Sequence, residues 1–254
     1  AIHELENYLD KAMMSGYNEI SVVHGKGTGQ LRKGIQEFLR TCPYIDSYRD
    51  ADQNEGGIGC TVAELLARAG VGKITLIDAD HIEISNLQRQ IAFTQPDIGF
   101  YKSEILAKRL IQINPYIRVE HHVAKLDETN AISLVSEQDL VLDGCDNFTT
   151  RYLVNQTCKQ LNVALISASA IGFQGQLFMV EGDSACYNCI FPKEQHSNEG
   201  LRCADSGVLS TTPNVMASLQ AHHALLYLGL NRMPLLQKLL LWDGLTRSEE
   251  HTSE

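Results

Sequence analysis

The sequence predicts an α/β fold, a mostly parallel sheet with helices on both faces, and three observations predict it. A glycine turn at residues 56–59 opens onto residues 62–69, whose apolar positions recur three and four apart as in an amphipathic helix. A second turn, Gly70-Val71-Gly72, releases KITLI at residues 73–77, nearly all apolar or β-branched, as suits a strand covered on both faces. Alternating strand and helix patterns then continue through residues 102–167, and such alternation builds parallel units.

Taken in order, residues 2–15 form an amphipathic helix pattern carrying Ile2, Leu5, Leu9, Ala12 and Met13, closed by Gly16. A strand at 19–23, the turn HGKGTG at 24–29 and a helix at 31–40 follow. Pro43 punctuates the next connection, 44–48 alternates as a strand, and the polar, acidic stretch to Glu55 is a plausible boundary. Beyond the segment at 56–77, residues 102–113 form a helix with Ile105, Leu106, Leu110 and Ile113 on one face, stopped by Asn114-Pro115. Residues 117–123 form a strand, in which His121 and His122 are polar edge residues, and Asp127 is an N-cap candidate for another helix. A buried strand at 140–142, a helix at 148–160 and a parallel strand at 163–167 complete the regular half. Residues 175–180 and the cysteine-rich segment change register toward a less regular half, and 214–228 form a mostly apolar helix. Its His222 and His223, adjacent in sequence, point in different directions, which suits a polar face better than a metal.

Length admits one large or two small domains. A net charge of -10 disfavours a broad nucleic-acid footprint, although a local basic groove is still compatible with it. No run of 18 apolar residues occurs and the first residues lack a basic leader, so neither a membrane span nor a signal peptide is expected. Seven cysteines, an odd number, suit a reducing compartment better than a disulfide scaffold, and the expected location is cytoplasmic.

The chemistry-bearing residues lie at turns and strand ends. Gly56, Gly57 and Gly59 can bring backbone N–H groups to a phosphate, and Asp78 and Asp80, just past a strand end, can accept hydrogen bonds from ribose hydroxyls. The plainer alternative is a tight turn and two solvated acids. Asn86, Arg89 and Gln90 add a polar cluster in which the Arg89 guanidinium could clamp a triphosphate. Asp143 and Asp146 end a strand at the edge where open sheets bind ligands, Asp143 being equally readable as a turn or cap. His24, Lys26 and Arg32 surround a glycine turn and read either as a phosphate site or as solvated basic residues. Cys186 and Cys189 form one half of a zinc-ligand pattern, and Cys203 is a lone thiol.

LIDADHIEISNLQRQ, Lys102, LVLDGCDN at 140–147 and CYNC at 186–189 together resemble the ThiF/MoeB/HesA family of adenylating enzymes, relatives of ubiquitin-activating proteins, over residues 56–246. ISASAIGFQGQLFMV at 166–180 resembles the thiamine-pathway ThiF branch. The resemblance implies a Rossmann-like sheet and an ATP-dependent adenylyltransferase that activates the C-terminal glycine of a ubiquitin-like sulfur-carrier protein, of thiamine or molybdopterin type. The carrier carboxylate would attack the α-phosphorus of ATP, giving an acyl-adenylate and pyrophosphate. That nucleophile is already ionised, so positioning and charge stabilisation matter more than a strong base. By resemblance Asp80 binds ribose, Arg89 and Lys102 clamp the triphosphate, Asn86 stands near the transferred phosphoryl, Asp146 holds Mg²⁺, and Cys203 serves sulfur transfer. Zinc is implied in intact relatives, with partners for Cys186 and Cys189 further along than Thr246, and a homodimer is implied as well.

Residues 3–60, through HGKGTGQLRKGIQEFL and NEGGIGCTVAEL, resemble a MutS2-type Smr domain and imply an alternative function, a nucleic-acid-binding or endonuclease module. The expected division is an incomplete Smr-like α/β segment at 1–55, an adenylation domain at 56–246 truncated at both ends, and a non-native tail at 247–254. The tail, RSEEHTSE, resembles translated sequencing adapter. The two resemblances make opposite demands on residues 60–65, a strand for the small module and a helix for the adenylating one.

Overall fold

The computed structural model describes residues 57–192 and 208–245, together with Phe38 and the backbone of residues 248–252. The elements expected between residues 2 and 48 lie outside the described residues, apart from Phe38.

Helix α1, Ile58–Ala69, starts at the glycine turn itself and buries Ile58, Val62, Ala63, Leu66 and Ala67. Gly70 ends it in the left-handed conformation (φ 83°), its N–H donating to the Ala67 and Leu66 carbonyls. Strand β1, Lys73–Ile77, and helix α2, Lys102–Ile113, keep the bounds expected of them. Between them runs a turn-rich stretch that includes Ile84–Asn86 and Gln95–Asp97, two single turns of 3₁₀ helix. Strand β2, Arg118–His122, pairs parallel with β1, from Lys73 opposite Arg118 to Ile77 opposite His122.

Next come α3 (Ala131–Val135), β3 (Leu140–Asp143), α4 (Phe148–Leu161) and β4 (Ala164–Ile171). Asn130 is the N-cap of α3, while Asp127 accepts from the Thr129 N–H and hydroxyl one turn earlier. β5 (Gln174–Val180), the short α5 (Tyr187–Ile190), the long α6 (Thr211–Leu230), β6 (Leu239–Asp243) and β7 (Ser248–Thr252) complete the order.

The mostly parallel sheet expected from the strand patterns is not what forms. The described strands make a parallel pair, β1–β2, and a separate five-stranded mixed sheet in the order β3-β4-β5-β6-β7, mostly antiparallel. Only β3 and β4 in it run parallel; β4–β5, β5–β6 and β6–β7 are antiparallel. The reason is chain length between strands. A parallel neighbour needs a crossover of a dozen residues or more, and α4 supplies one between β3 and β4. Between β4 and β5 stand only Gly172 and Phe173, with Gly172 at φ 57°, which forces a hairpin.

One core cluster gathers α1, α2, α6, β1 and parts of β4 and β5, while a second gathers Val135, Tyr152, Cys158, Phe178 and Tyr187. α6 contributes Met216, Ala217, Ala221 and Ala224 to the first cluster and packs on α1, β4 and β5, which explains its near-continuous apolar sequence.

Asp97 ties the turn-rich stretch to α2. Its Oδ2 accepts from the Thr94 N–H and hydroxyl, both at 2.7 Å, and pairs with Arg109. Burial alone would raise its carboxyl, but the Thr94 hydrogen bonds and the Arg109 charge outweigh that and hold it below the usual range. A depressed folded value contributes stability above the unfolded pKa of about 3.9 and loses it as pH falls through the lower folded one. Wild type should therefore exceed Asp97→Asn in urea midpoint at pH 5, and the gap should narrow as pH falls below about 4. A gap that widens toward acid would contradict this.

Candidate functional site

α1, β1 and β3 present their ends to one another. The C-terminal ends of β1 and β3 carry Asp78 and Asp143, the first and last of the acids noted in the sequence being Asp78 and Asp146. α1 begins at Gly57, which has no side-chain cap, and its first turn holds no acidic residue. Its leading N–H groups thus form the positive end of a twelve-residue helix, suited to an anion.

Two close approaches fix what surrounds that helix end. A Cβ on Gly57 would lie 3.2 Å from Arg89 Cγ, so a bare backbone lets the arginine stem rest there. The φ of 170° at Gly57 is ordinary extended backbone, so it is room rather than conformation that requires glycine. A Cβ on Gly144 would lie 3.1 Å from Ile58 Cβ and 3.2 Å from Gly59 N, which brings the loop after β3 against the first turn of α1. A Cβ on Gly59 would meet nothing within 4 Å.

Asp80 and Lys102 meet across the start of α2. Lys102 Nζ lies 3.1 Å from Asp80 Oδ2, and the Lys102 N–H donates to the Asp80 carbonyl at 2.9 Å. The lysine side chain is 9% exposed, its partner's 50%. Lysine in a first turn has the wrong sign for the helix dipole, and a buried ammonium is costly without a partner, so helix stability does not account for this placement.

Asp78 holds the turn that carries Asp80. Its Oδ1 accepts from the Asp80 N–H at 2.7 Å, and its carbonyl accepts from the Ser103 hydroxyl at 2.8 Å. Burial pushes its carboxyl above the usual range; the Asp80 amide and Lys102 oppose that, while the negative charges of Asp80 and Asp146 reinforce it. Asp146 therefore belongs electrostatically to the group around Asp78, Asp80 and Lys102.

Asn86 and Arg89 are both 3% exposed. Asn86 Oδ1 accepts from the Glu83 N–H at 3.0 Å in a reciprocal cap, and Arg89 Nη1 donates to the Ser85 carbonyl at 2.8 Å. Asn147 accepts from the Thr150 N–H at 2.8 Å and caps α4. Asp143 is a turn and packing residue: it accepts from Cys145 N–H (2.9 Å) and the Ser167 hydroxyl (2.6 Å) and faces Arg151.

The sequence reading missed three supports. Arg151 donates to Ser167 Oγ (2.9 Å) and to the carbonyls of Ala168 (3.1 Å) and Cys145, with its guanidinium over the Tyr187 ring at 5.7 Å. Gln220, 1% exposed, donates to the Asp143 and Ile166 carbonyls and so holds the end of β3 and the first half of β4 to α6. Gly144 was readable, since a glycine immediately after a strand often marks close backbone approach. A lone arginine or glutamine inside a helix carries no such mark.

Cys186 and Cys189 lie 3.6 Å apart, near the roughly 3.8 Å that two sulfurs on one tetrahedral zinc would show at usual bond lengths. Burial raises the Cys186 thiol, yet hydrogen bonds from Asn155, Cys189 and Asn188 outweigh it and hold the thiol below its usual range. Cys186 packs against the second core cluster while Cys189 is exposed, and no group of three or more His, Cys, Asp or Glu suited to a metal occurs among the described residues. Gly56 and Cys203, and likewise His24, Lys26 and Arg32, lie outside the described residues. No described helix is long and apolar enough to cross a membrane.

The model of the ThiF family matches residues 55–253. The chain belongs to the ThiF family. A model of the Smr domain matches residues 1–66, so the two share residues 55–66. Of that shared stretch, residues from Ile58 onward are helical, which meets the demand of the adenylating resemblance and not that of the small module. Among curated relatives, the ThiF chain is 38% identical over 200 residues to the Sulfur carrier protein adenylyltransferase of Thermus thermophilus, covering 76% of this chain and 73% of that one. It is also 38% identical over 190 residues to the Adenylyltransferase and sulfurtransferase MOCS3 of Anopheles gambiae, covering 74% of this chain and 43% of that one. Among solved structures, E. coli MccB with ATP aligns at TM-score 0.68 and 27% identity, over 78% of this chain and 61% of MccB. The chain is thus an adenylyltransferase domain of ThiF/MoeB type, as the sequence motifs implied, and it spans less than half of the MOCS3 relative.

Proposed function

We propose that this chain adenylylates the C-terminal carboxylate of a ubiquitin-like sulfur-carrier protein with ATP. The observation that carries the reading is the uncapped start of α1 at Gly57, with the Arg89 stem against it. The relatives' names support the substrate class: one is a sulfur carrier protein adenylyltransferase, and MccB has been solved with MccA as well as with ATP.

In this reading the α1 N–H groups and the charges of Arg89 and Lys102 bear the triphosphate, and half-exposed Asp80 turns to the ribose hydroxyls. The carrier carboxylate forms a bond to the α-phosphorus as the bond to the pyrophosphate oxygen breaks, and pyrophosphate leaves with the negative charge. Lys102 and the helix end would stabilise that charge. Asp146, an exposed carboxylate in the loop after β3, would hold a Mg²⁺, which commonly takes one or two protein carboxylates. Such an ion would neutralise phosphate charge. Cys186 and Cys189 would supply two of four zinc ligands, and Cys203 sulfur transfer. Carrier-dependent exchange of labelled pyrophosphate into ATP tests the reading: exchange that requires both carrier and ATP supports it, and its absence from folded protein refutes it.

The Smr match favours a second, separate activity at residues 1–66. Retention on structured DNA or RNA that disappears when Lys26 and Arg32 are neutralised would support it; retention unaffected by those changes would remove it.

A further inference from the structure

Asn214, the fourth residue of α6, uses its whole side-chain amide on groups around the proposed phosphate site. Its Oδ1 accepts from the Thr61 hydroxyl on α1 at 2.7 Å, and its Nδ2 donates to the carbonyls of Arg89 (3.1 Å) and Ser210 (2.9 Å). Both carbonyls can only accept, so the NH₂ must face them and the oxygen must face Thr61. We propose that Asn214 is a positioning residue for Arg89, setting where the arginine stands against the glycine turn. This rests on the ATP reading above.

The contacts close a ring. The start of α1 at Gly57 leaves room for the Arg89 stem, the Arg89 carbonyl is caught by Asn214, and Asn214 is aimed by Thr61 one turn along the same α1. Arg89 lies outside regular secondary structure, so no helix or strand ladder fixes its carbonyl. The catch comes instead from α6, which Gln220 fastens in turn to β3 and β4. A small displacement at Arg89 would move a clamp whose worth depends on position.

Asn214→Asp keeps the acceptor for Thr61 but sets a carboxylate oxygen against two carbonyls. Calorimetric titration of the full chain with ATP and Mg²⁺ should show this variant binding ATP about tenfold more weakly than wild type, the usual scale for one buried hydrogen bond left unmade. Thr61→Val, which removes only the aiming bond, should weaken ATP about threefold and provides the test if Asn214→Asp does not fold. In an Arg89→Ala background Asn214→Asp should add nothing, because the group it positions is gone. Equal ATP affinity for wild type and the folded variants overturns the proposal. So does an undiminished Asn214→Asp effect in the Arg89→Ala background, since that would mark a general packing role. Wild-type protein that holds no ATP overturns the functional reading itself and this proposal with it.

Discussion

Arg151→Ala is expected to lower the stability of the protein by about 3–5 kcal/mol, the range for removing one partner of a buried charge pair. The side chains of Arg151 and Asp143 are 6% and 2% exposed, 3.6 Å apart. Removing the guanidinium leaves the Asp143 carboxylate with the Cys145 N–H and the Ser167 hydroxyl but no opposite charge, and it strands the carbonyls of Cys145 and Ala168. Arg151→Lys should recover only part of the loss. One ammonium cannot reach three acceptors in a fixed planar fork and also lie over the Tyr187 ring. Urea denaturation of the three proteins gives the answer. A midpoint for Arg151→Ala within error of wild type would mean that the Asp143 carboxylate finds other compensation.

Lys102→Ala should lower carrier-dependent pyrophosphate exchange by about 10²- to 10³-fold, the usual scale for losing one preorganised group that stabilises developing charge. Stability should change by only about 1 kcal/mol, because the partner Asp80 is half exposed and water can take over its carboxylate. The two variants therefore separate support from chemistry: one acts mainly on folding, the other mainly on rate. Exchange by Lys102→Ala within a few-fold of wild type would remove Lys102 from the proposed triphosphate clamp.

Much of the fold could be read locally. KITLI formed a strand with its expected bounds because four apolar or β-branched residues follow Lys73 between a glycine turn and an acid, and 102–113 formed a helix because its apolar spacing and the Asn114-Pro115 stop agree. α1 began earlier than its periodicity suggested, since the glycine turn itself joins the helix. The sheet was misread because apolar strands look alike whichever way their neighbours run; direction depended on Gly172-Phe173, too short to cross over. That hairpin signal stood in the sequence between two apolar runs.

On its own, the sequence determined the family of this chain and the local conformation of residues 62–77 and 102–113, because glycine spacing and helix periodicity act over a few neighbours. Only the tertiary structure decided which strands pair, in the order β3-β4-β5-β6-β7 apart from β1-β2, and the supports of the site. Arg151 braces the loop that carries Asp146 and reaches across to Ala168 of β4, Gln220 ties β3 and β4 to α6, and Asn214 catches the Arg89 carbonyl from 125 residues away. The Gln220 and Asn214 bonds join residues distant in the chain, and a hydrogen bond between distant residues leaves no periodicity in either segment.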